Sequence, residues 1–332
     1  MTRCAVIGAG AWGTAIGDLL ARGGHEVALW AHEADVVAGV NATHENQRFL
    51  RGVRLHAGVR AVEDLTQAAR GAELVFLVAP SHVLRTVVRG AAPAIAPGAV
   101  IVVATKGIER GSLAMMTEIA AEELPGRPVV ALSGPSFAAE VAARQPTAVV
   151  AASRDGEAAS RAQVALSSDS FRVYTSDDVV GAEMGGALKN VIAVATGIAE
   201  GLGLGFNPRA ALITRGLAEI TRLGVALGAS PLTFMGLAGM GDLVLTCTGA
   251  LSRNRAVGLD IGKGGTLADV LAGRETVAEG VVTTQSAHAL AQREGIEMPI
   301  VAAVHRTLFE DQAPRSAIAT LMTRELRAER DA

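Results

Sequence analysis

The sequence predicts an α/β protein: an N-terminal, mostly parallel sheet with helices on both faces, followed by an all-helical C-terminal domain. Three observations carry this. Short apolar runs alternate with amphipathic stretches through the first half, which is how strand–helix–strand units read. Half of the 332 residues are apolar but only 3% are aromatic, so the core must be built from Val, Ile, Leu and Ala, as in parallel strands buried on both faces. From Asp177 onward strand alternation disappears and long helical windows take over. A chain of this length suits two domains rather than one core. The division is expected near residue 176, giving domains 1–176 and 177–332.

In order along the chain, strands are expected at Cys4–Ile7, Glu26–Trp30, Leu74–Val78, Val100–Ala104, Val129–Leu132 and Ala148–Ala151. Helical stretches between them include Thr14–Arg22, His82–Ala91 and Leu113–Glu122, with joints at Gly23-Gly24, Pro97-Gly98 and Gly134-Pro135. The pattern changes after Phe171–Thr175. Helical windows follow at Gly181–Glu200, Pro208–Leu227, Pro231–Met235, Thr266–Ala272, Thr284–Glu294 and Ile300–Phe309. Neither internal repeats nor a low-complexity linker separates the halves, so they should pack directly, with a site at their seam.

Composition removes several functions. The net charge is −3 and Lys and Arg form no tract, which argues against a nucleic-acid partner. One small phosphorylated substrate needs only a local cluster of cations. Cys4 and Cys247 stand far apart without CxxC or metal spacing, which suits a reducing compartment. No signal-type segment opens the chain and no apolar run is long enough to span a bilayer, so a cytoplasmic protein is expected. His44, His82, His288 and His305 lack partners at metal spacing, and no metal is implied.

The first strand runs straight into Gly8-Ala-Gly10-Ala-Trp-Gly13, with a helix expected from Thr14. This is GxGxxG in its required setting, strand before and helix after. Gly8 permits the tight turn, Gly10 lets the backbone approach a pyrophosphate, and Gly13 allows the helix to lie against the strand. The helix N-terminus then offers free N–H groups and partial positive charge to phosphates. The sheet is therefore expected to be Rossmann-type and to bind a dinucleotide, against the plainer reading of a glycine-rich turn that binds nothing. The acid that usually selects the cofactor falls about 20 residues beyond the loop. Here Leu29-Trp-Ala-His32-Glu33 has no acid at the strand tip, though Glu33 and Asp35 follow. NAD and NADP both stay open.

Four segments offer groups for reducing a carbonyl. Lys106 emerges at the carboxyl end of a strand, where open α/β sheets bind ligands; a surface lysine would read the same way. Ser133-Gly134-Pro135-Ser136-Phe137-Ala138 is a turn with hydroxyls and backbone N–H groups, or simply a connection. Lys189 sits in an otherwise apolar helix beside Asn190. It either snorkels to water or lines a cavity, where partial desolvation lowers its pKa toward the range of a general acid/base. Asp242, in Gly239-Met-Gly241-Asp242, either orients Lys189 or caps a helix. Arg253, beside Ser252 and Asn254, offers a forked donor suited to phosphate, or is a solvated surface group.

Taken together the segments resemble the bacterial-type NAD(P)-dependent glycerol-3-phosphate dehydrogenases. The likeness runs through GAGAWGTA at 8–15, PSH at 80–82, ATKGIE at 104–109, SGPSFAAE at 133–140, LKNVIA at 188–193, ALITRGLAEITRLG at 211–224, GLAGMGDLVLTCT at 236–248, SRN at 252–254 and AEGV at 278–281. The resemblance implies reversible reduction of dihydroxyacetone phosphate to sn-glycerol 3-phosphate, a precursor of membrane phospholipids, and favours a homodimer. It makes Lys189 the proton donor and acceptor, supported by Asp242, Asn190 and Thr246. It gives the substrate to Lys106, Gly134, Ser136, Ser252, Arg253 and Asn254. Cofactor contacts, beyond the loop glycines, fall to Ala11, Trp12, His32, Phe49, Lys106, Ala138, Arg253, Val277 and Glu279. Departures touch cofactor contacts: Ala11 where Ser is frequent, Phe49 where Tyr is frequent, and His32 where Arg also occurs. Two rivals remain: a 3-hydroxyacid or 6-phosphogluconate type dehydrogenase with a carboxylate in place of the phosphate, and a non-catalytic dinucleotide redox sensor.

Overall fold

A computed structural model describes residues 1–272, 278–326, 328 and 329. Eight strands form one sheet: β1 (Arg3–Ile7), β2 (Glu26–Trp30), β3 (Val59–Val62), β4 (Leu74–Leu77), β5 (Val100–Val103), β6 (Val129–Ser133), β7 (Thr147–Ala152) and β8 (Phe171–Ser176). Their order is β3-β2-β1-β4-β5-β6-β7-β8. All neighbours are parallel except β6 and β7, which pair antiparallel through Leu132 and Ala151. The first six in this order therefore point their carboxyl ends to one edge, which is where the chemistry gathers.

Alternate residues of one strand serve opposite faces. Cys4 and Val6 of β1, Leu74 and Phe76 of β4 and Val100 and Val102 of β5 pack with the helices Ala11–Arg22, Ala34–Thr43 and Gly156–Leu166. Ala5, Ile7, Val75, Leu77, Ile101 and Val103 pack on the other side with Leu65–Ala69, Leu84–Ala91 and Met116–Glu123. Both faces are covered, so these strands read as continuous apolar runs. Two strands, β3 and β8, were not among those expected. The first helix begins at Ala11, not Thr14, so Gly13 belongs to its first turn. The helix expected from Leu113 begins at Met116, because Leu113 adopts a left-handed φ of 62°. Pro231–Met235 is a 3-10 turn.

After β8 the chain is helical to Met322 among the described residues. Its hub is the 23-residue helix Val179–Gly201, buried from Met184 through Ala199. An all-round apolar helix has to lie inside a protein, and Phe206–Ala226, Asp242–Thr248, Arg253–Gly262 and Glu279–Glu294 pack around it. Where it crosses Arg253–Gly262 both helices carry glycine. A Cβ at Gly197 would lie 2.1 Å from Arg255 O, and one at Gly258 2.1 Å from Val194 O; for Gly201 and Gly262 the figure is 2.3 Å. Backbone touches backbone along the crossing. No helix among the described residues is long and apolar enough to cross a membrane.

Candidate active site

The glycine loop follows from close packing. Gly8 has φ +121°, and a Cβ there would stand 2.9 Å from Ala79 N. A Cβ at Gly13 would stand 1.8 Å from Gly8 O, so only glycine lets the helix start this near the turn. Around Gly10, by contrast, nothing lies within 4 Å of a Cβ position. Gly10 precedes the helix with no side-chain cap, and the first turn carries no acid. The first-turn N–H groups thus face open space with the positive end of the helix behind them. These residues fit the pyrophosphate of a nicotinamide dinucleotide.

Sequence reasoning missed what holds this loop. Asn46 is fully buried, its Nδ2 donating to Ala9 O and Thr14 Oγ1, each at 2.8 Å, while its Oδ1 accepts Phe49 N at 3.0 Å. It ties the loop to the segment bearing Phe49, which is half-buried with Arg48 over its ring. Ala11, Trp12 and Ala138 are half-buried and pack against the same side of the sheet. His32 is exposed just past β2, its ring 6.5 Å from that of Trp30. Val277 lies outside the described residues.

The chemical centre forms where β5 and β6 end against the hub helix. Lys106, just beyond β5, donates from Nζ to Gly134 O at 3.1 Å and to Asp242 Oδ2 at 2.6 Å. Lys189, in the hub helix, donates to the other carboxylate oxygen, Asp242 Oδ1. One buried carboxylate, 1% exposed, therefore holds two ammonium groups. Asp242 gets there through a π-turn at Leu237–Gly241, a local widening common at functional sites. That turn fits because Gly185 faces it: a Cβ at Gly185 would lie 2.2 Å from Ala238 O. Asp242 opens the next helix but makes no capping bond, so its carboxylate is free for the lysines.

Burial pulls the Lys189 ammonium down to about 8; Asp242 opposes this, while the like charge of Lys106 adds to it. The group thus changes protonation state well below the range of a free lysine, closer to where a general acid or base works. Thr246 Oγ1 donates to Asp242 O at 2.6 Å, one turn along. Asn190 Oδ1 accepts Asn254 Nδ2 at 2.8 Å, and Asn254 Oδ1 accepts Gly280 N at 2.9 Å. Ser252 caps the helix Arg253–Gly262 through Arg255 N, which leaves Arg253 exposed in its first turn. On the loop after β6, Ser136 Oγ donates to Gly134 O at 3.0 Å.

Glu279, expected at the cofactor, accepts Ser81 N at 3.1 Å and Ser81 Oγ at 2.5 Å. Burial pushes its carboxyl pKa up, and Ser81 holds it back. Cys247 is fully buried near the centre, its thiol pushed up to about 12 by burial, and acts as packing rather than as a nucleophile.

The family model described as NAD-dependent glycerol-3-phosphate dehydrogenase N-terminus matches residues 3–159, and its C-terminus counterpart matches 178–319. The chain is 56% identical over 331 residues to "Glycerol-3-phosphate dehydrogenase [NAD(P)+]" of Geobacter sulfurreducens, with 99% of each chain covered. It is 55% identical over 330 residues to the protein of that name from a Geobacter sp., strain M21, covering 98% of each. Among solved structures, glycerol-3-phosphate dehydrogenase from Coxiella burnetii superimposes with a TM-score of 0.94 at 42% identity, over 97% of this chain and 99% of that one. With its glycine loop, its lysine pair on one buried carboxylate and both halves matched in order, the chain belongs to the NAD-dependent glycerol-3-phosphate dehydrogenase family.

Proposed function

We propose that the protein interconverts dihydroxyacetone phosphate and sn-glycerol 3-phosphate with NAD(P)H, Lys189 moving the proton. The single observation that carries this is the buried Lys189–Asp242–Lys106 cluster, set where the carboxyl ends of β5 and β6 meet the hub helix. Gly8, Gly10 and Gly13 with the helix behind them hold the dinucleotide, helped by Ala11, Trp12, His32, Phe49, Ala138 and Glu279. When bound, the nicotinamide supplies the hydride. Lys189 gives a proton to the substrate oxygen during reduction and takes one back during oxidation. Asp242 aims Lys189, and Thr246 steadies the backbone of Asp242. Asn190 and Asn254 form a polar wall beside them. Lys106, with the charge it brings, favours the oxygen as it becomes negative. Arg253, Ser252, Gly134 and Ser136 hold the phosphate, for which a partly desolvated guanidinium at the start of a helix is well suited.

The product places the enzyme in the supply of glycerophospholipid backbones. Two buried free thiols suit a cytoplasmic setting. Phe206, Leu232 and Met235, exposed at 81%, 73% and 74% on the helical half, support a homodimer, which light scattering tests by mass. The function is tested by the oxidation of NADPH, and separately NADH, with dihydroxyacetone phosphate or unphosphorylated dihydroxyacetone. Turnover with the phosphate ester alone is expected, and the ratio of the two rates gives the cofactor preference. A folded protein that binds the dinucleotide but turns over neither ketone would sink the reading and favour a hydroxyacid dehydrogenase or a redox sensor.

A further inference from the structure

Two carboxylates of the helical half reach across to the sheet half, and each grips the N–H and hydroxyl of one residue at the start of a helical segment. Glu279 takes Ser81, which opens a 3-10 turn after β4. Glu183 takes Thr117, its carboxylate accepting Thr117 N at 2.9 Å and also Thr117 Oγ1. Thr117 lies in the first turn of Met116–Glu123, where backbone N–H groups lack partners within the helix. The sequence gives no hint of either grip, since the partners stand 66 and 198 residues apart.

Between the two grips lies Lys106-Gly107. Gly107 has φ +155°, and a Cβ there would stand 2.7 Å from Ser81 Cβ and 3.7 Å from Glu279 Oε2. On the other side Glu183 joins Thr105, Lys106, Gly107 and Ser133 in lining a small cavity of about 10 Å³. Gly186, three residues after Glu183, brings the hub helix to within 3.4 Å of Lys106 Cδ, measured from its Cβ position. The loop bearing Lys106 continues through a bridge between Ile108 and Met115 directly into the turn that Glu183 holds. Lys189 follows Glu183 on the same helix. One side chain thus links the two elements that carry the two ammonium groups.

We propose that Glu183 is a positioning residue for the reaction: by holding Thr117 it fixes the Lys106 loop against the hub helix and so sets how closely Lys106 approaches Lys189 on Asp242. The proposal rests on the reading that Lys189 moves the proton. Lys106 helps to keep the Lys189 pKa low, so a slackened loop lets that pKa rise. Burial pushes the Glu183 carboxyl up to about 7, with Thr117 pulling it down and Glu118 adding to the rise, so it is ionised across the alkaline break. Loss of that charge would by itself act in the opposite direction, which makes the sign of the change diagnostic.

The test is the pH dependence of kcat, with cofactor and ketone saturating, for Glu183→Ala, Glu183→Gln and Thr117→Val. Glu183→Ala is expected to lower kcat by at least about tenfold, as small misplacements of reacting groups do, to move the alkaline break upward, and to leave the KM for cofactor nearly unchanged. Glu183→Gln keeps an acceptor for Thr117 N–H and should recover most of the rate. Thr117→Val removes only the hydroxyl grip, so it reports even if Glu183→Ala fails to fold, and its break should also move upward. A kcat within twofold of wild type with the break unmoved or moved downward, in whichever of Glu183→Ala and Thr117→Val folds, overturns the proposal. A wild-type enzyme that fails to reduce dihydroxyacetone phosphate overturns instead the reading on which it rests.

Discussion

At the scale of single residues, the centre is governed by what surrounds Lys189. Its pKa of about 8 fixes the signs of the pH profiles. With Lys189 moving the proton, as proposed, reduction needs the protonated ammonium, so its rate should hold below pH 8 and fall as pH rises through it. Oxidation needs the neutral amine and should rise over the same interval. Replacing Lys189 by Met should cost about 10²–10⁴-fold in kcat in both directions, read by steady-state kinetics, with cofactor affinity preserved. Asp242 raises the Lys189 pKa while burial lowers it. Asp242→Asn should therefore move the break below 8 and lower kcat, because two ammonium groups would then share a buried site without a carboxylate. The pH profile of the variant checks both. Lys189, Asp242 and Lys106 were each legible as candidates from their segments. The pairing of Asp242 with Lys189 was one of the two readings of that segment. That Lys106 shares the same carboxylate was not legible, because no spacing in the sequence encodes a contact between positions 106 and 242.

At the scale of elements, the glycine loop and the hub helix follow closely from local pattern. A strand run, three glycines and an apolar helix leave few alternatives. The strand β3, with only Val59-Arg-Ala-Val62 to show, is too short for its periodicity to stand out. The edge strand β8 alternates buried and exposed residues from Phe171 to Tyr174 and could have been read, but it merges with the boundary between the halves. Helices such as Arg253–Gly262 were missed because their glycine-rich inner face looks like a loop. Those same glycines permit the crossing with the hub helix. Gly258→Ala places a methyl 2.1 Å from Val194 O, which the two backbones can relieve only by separating. Overpacking of this kind costs about 1–3 kcal/mol, measurable by urea denaturation, and should weaken the Asn190–Asn254 bond enough to raise the KM for the ketone.

Across the whole molecule, a further buried carboxylate ties stability to pH. Glu219, 3% exposed, accepts Ile300 N at 2.7 Å and Val301 N at 3.3 Å, joining the helices Phe206–Ala226 and Pro299–Phe309. Burial pushes its carboxyl up to about 7, against the pull of those two N–H groups and of Arg222 and Arg215. The folded pKa thus lies above the unfolded one. The stabilisation is fully present below the unfolded value of about 4.3 and is lost as pH rises through about 7. Unfolding free energy should therefore fall across that window by up to about 4 kcal/mol. Glu219→Gln, which cannot titrate, should reduce the slope in denaturant midpoints taken from pH 4.5 to 8, leaving the part that Glu183 and Glu279, also raised by burial, contribute. The two-part architecture was readable from composition and period, whereas buried carboxylates such as Glu219 and Glu183 look in sequence like ordinary solvated acids on amphipathic helices.

The glycine crossing also bears on how the site responds to mechanical load. An interface filled by side chains gives a little when squeezed or warmed, because rotamers shift and small voids close. Here carbonyl oxygens of one helix rest almost directly on the backbone of the other, over two turns, with nothing soft between them. The spacing between the helix that carries Lys189 and Asn190 and the helix that carries Arg253 and Asn254 is therefore set by a hard stop. Hydrostatic pressure that compresses the aliphatic core should leave this gauge, and with it the distance between Lys189 and Arg253, nearly unchanged.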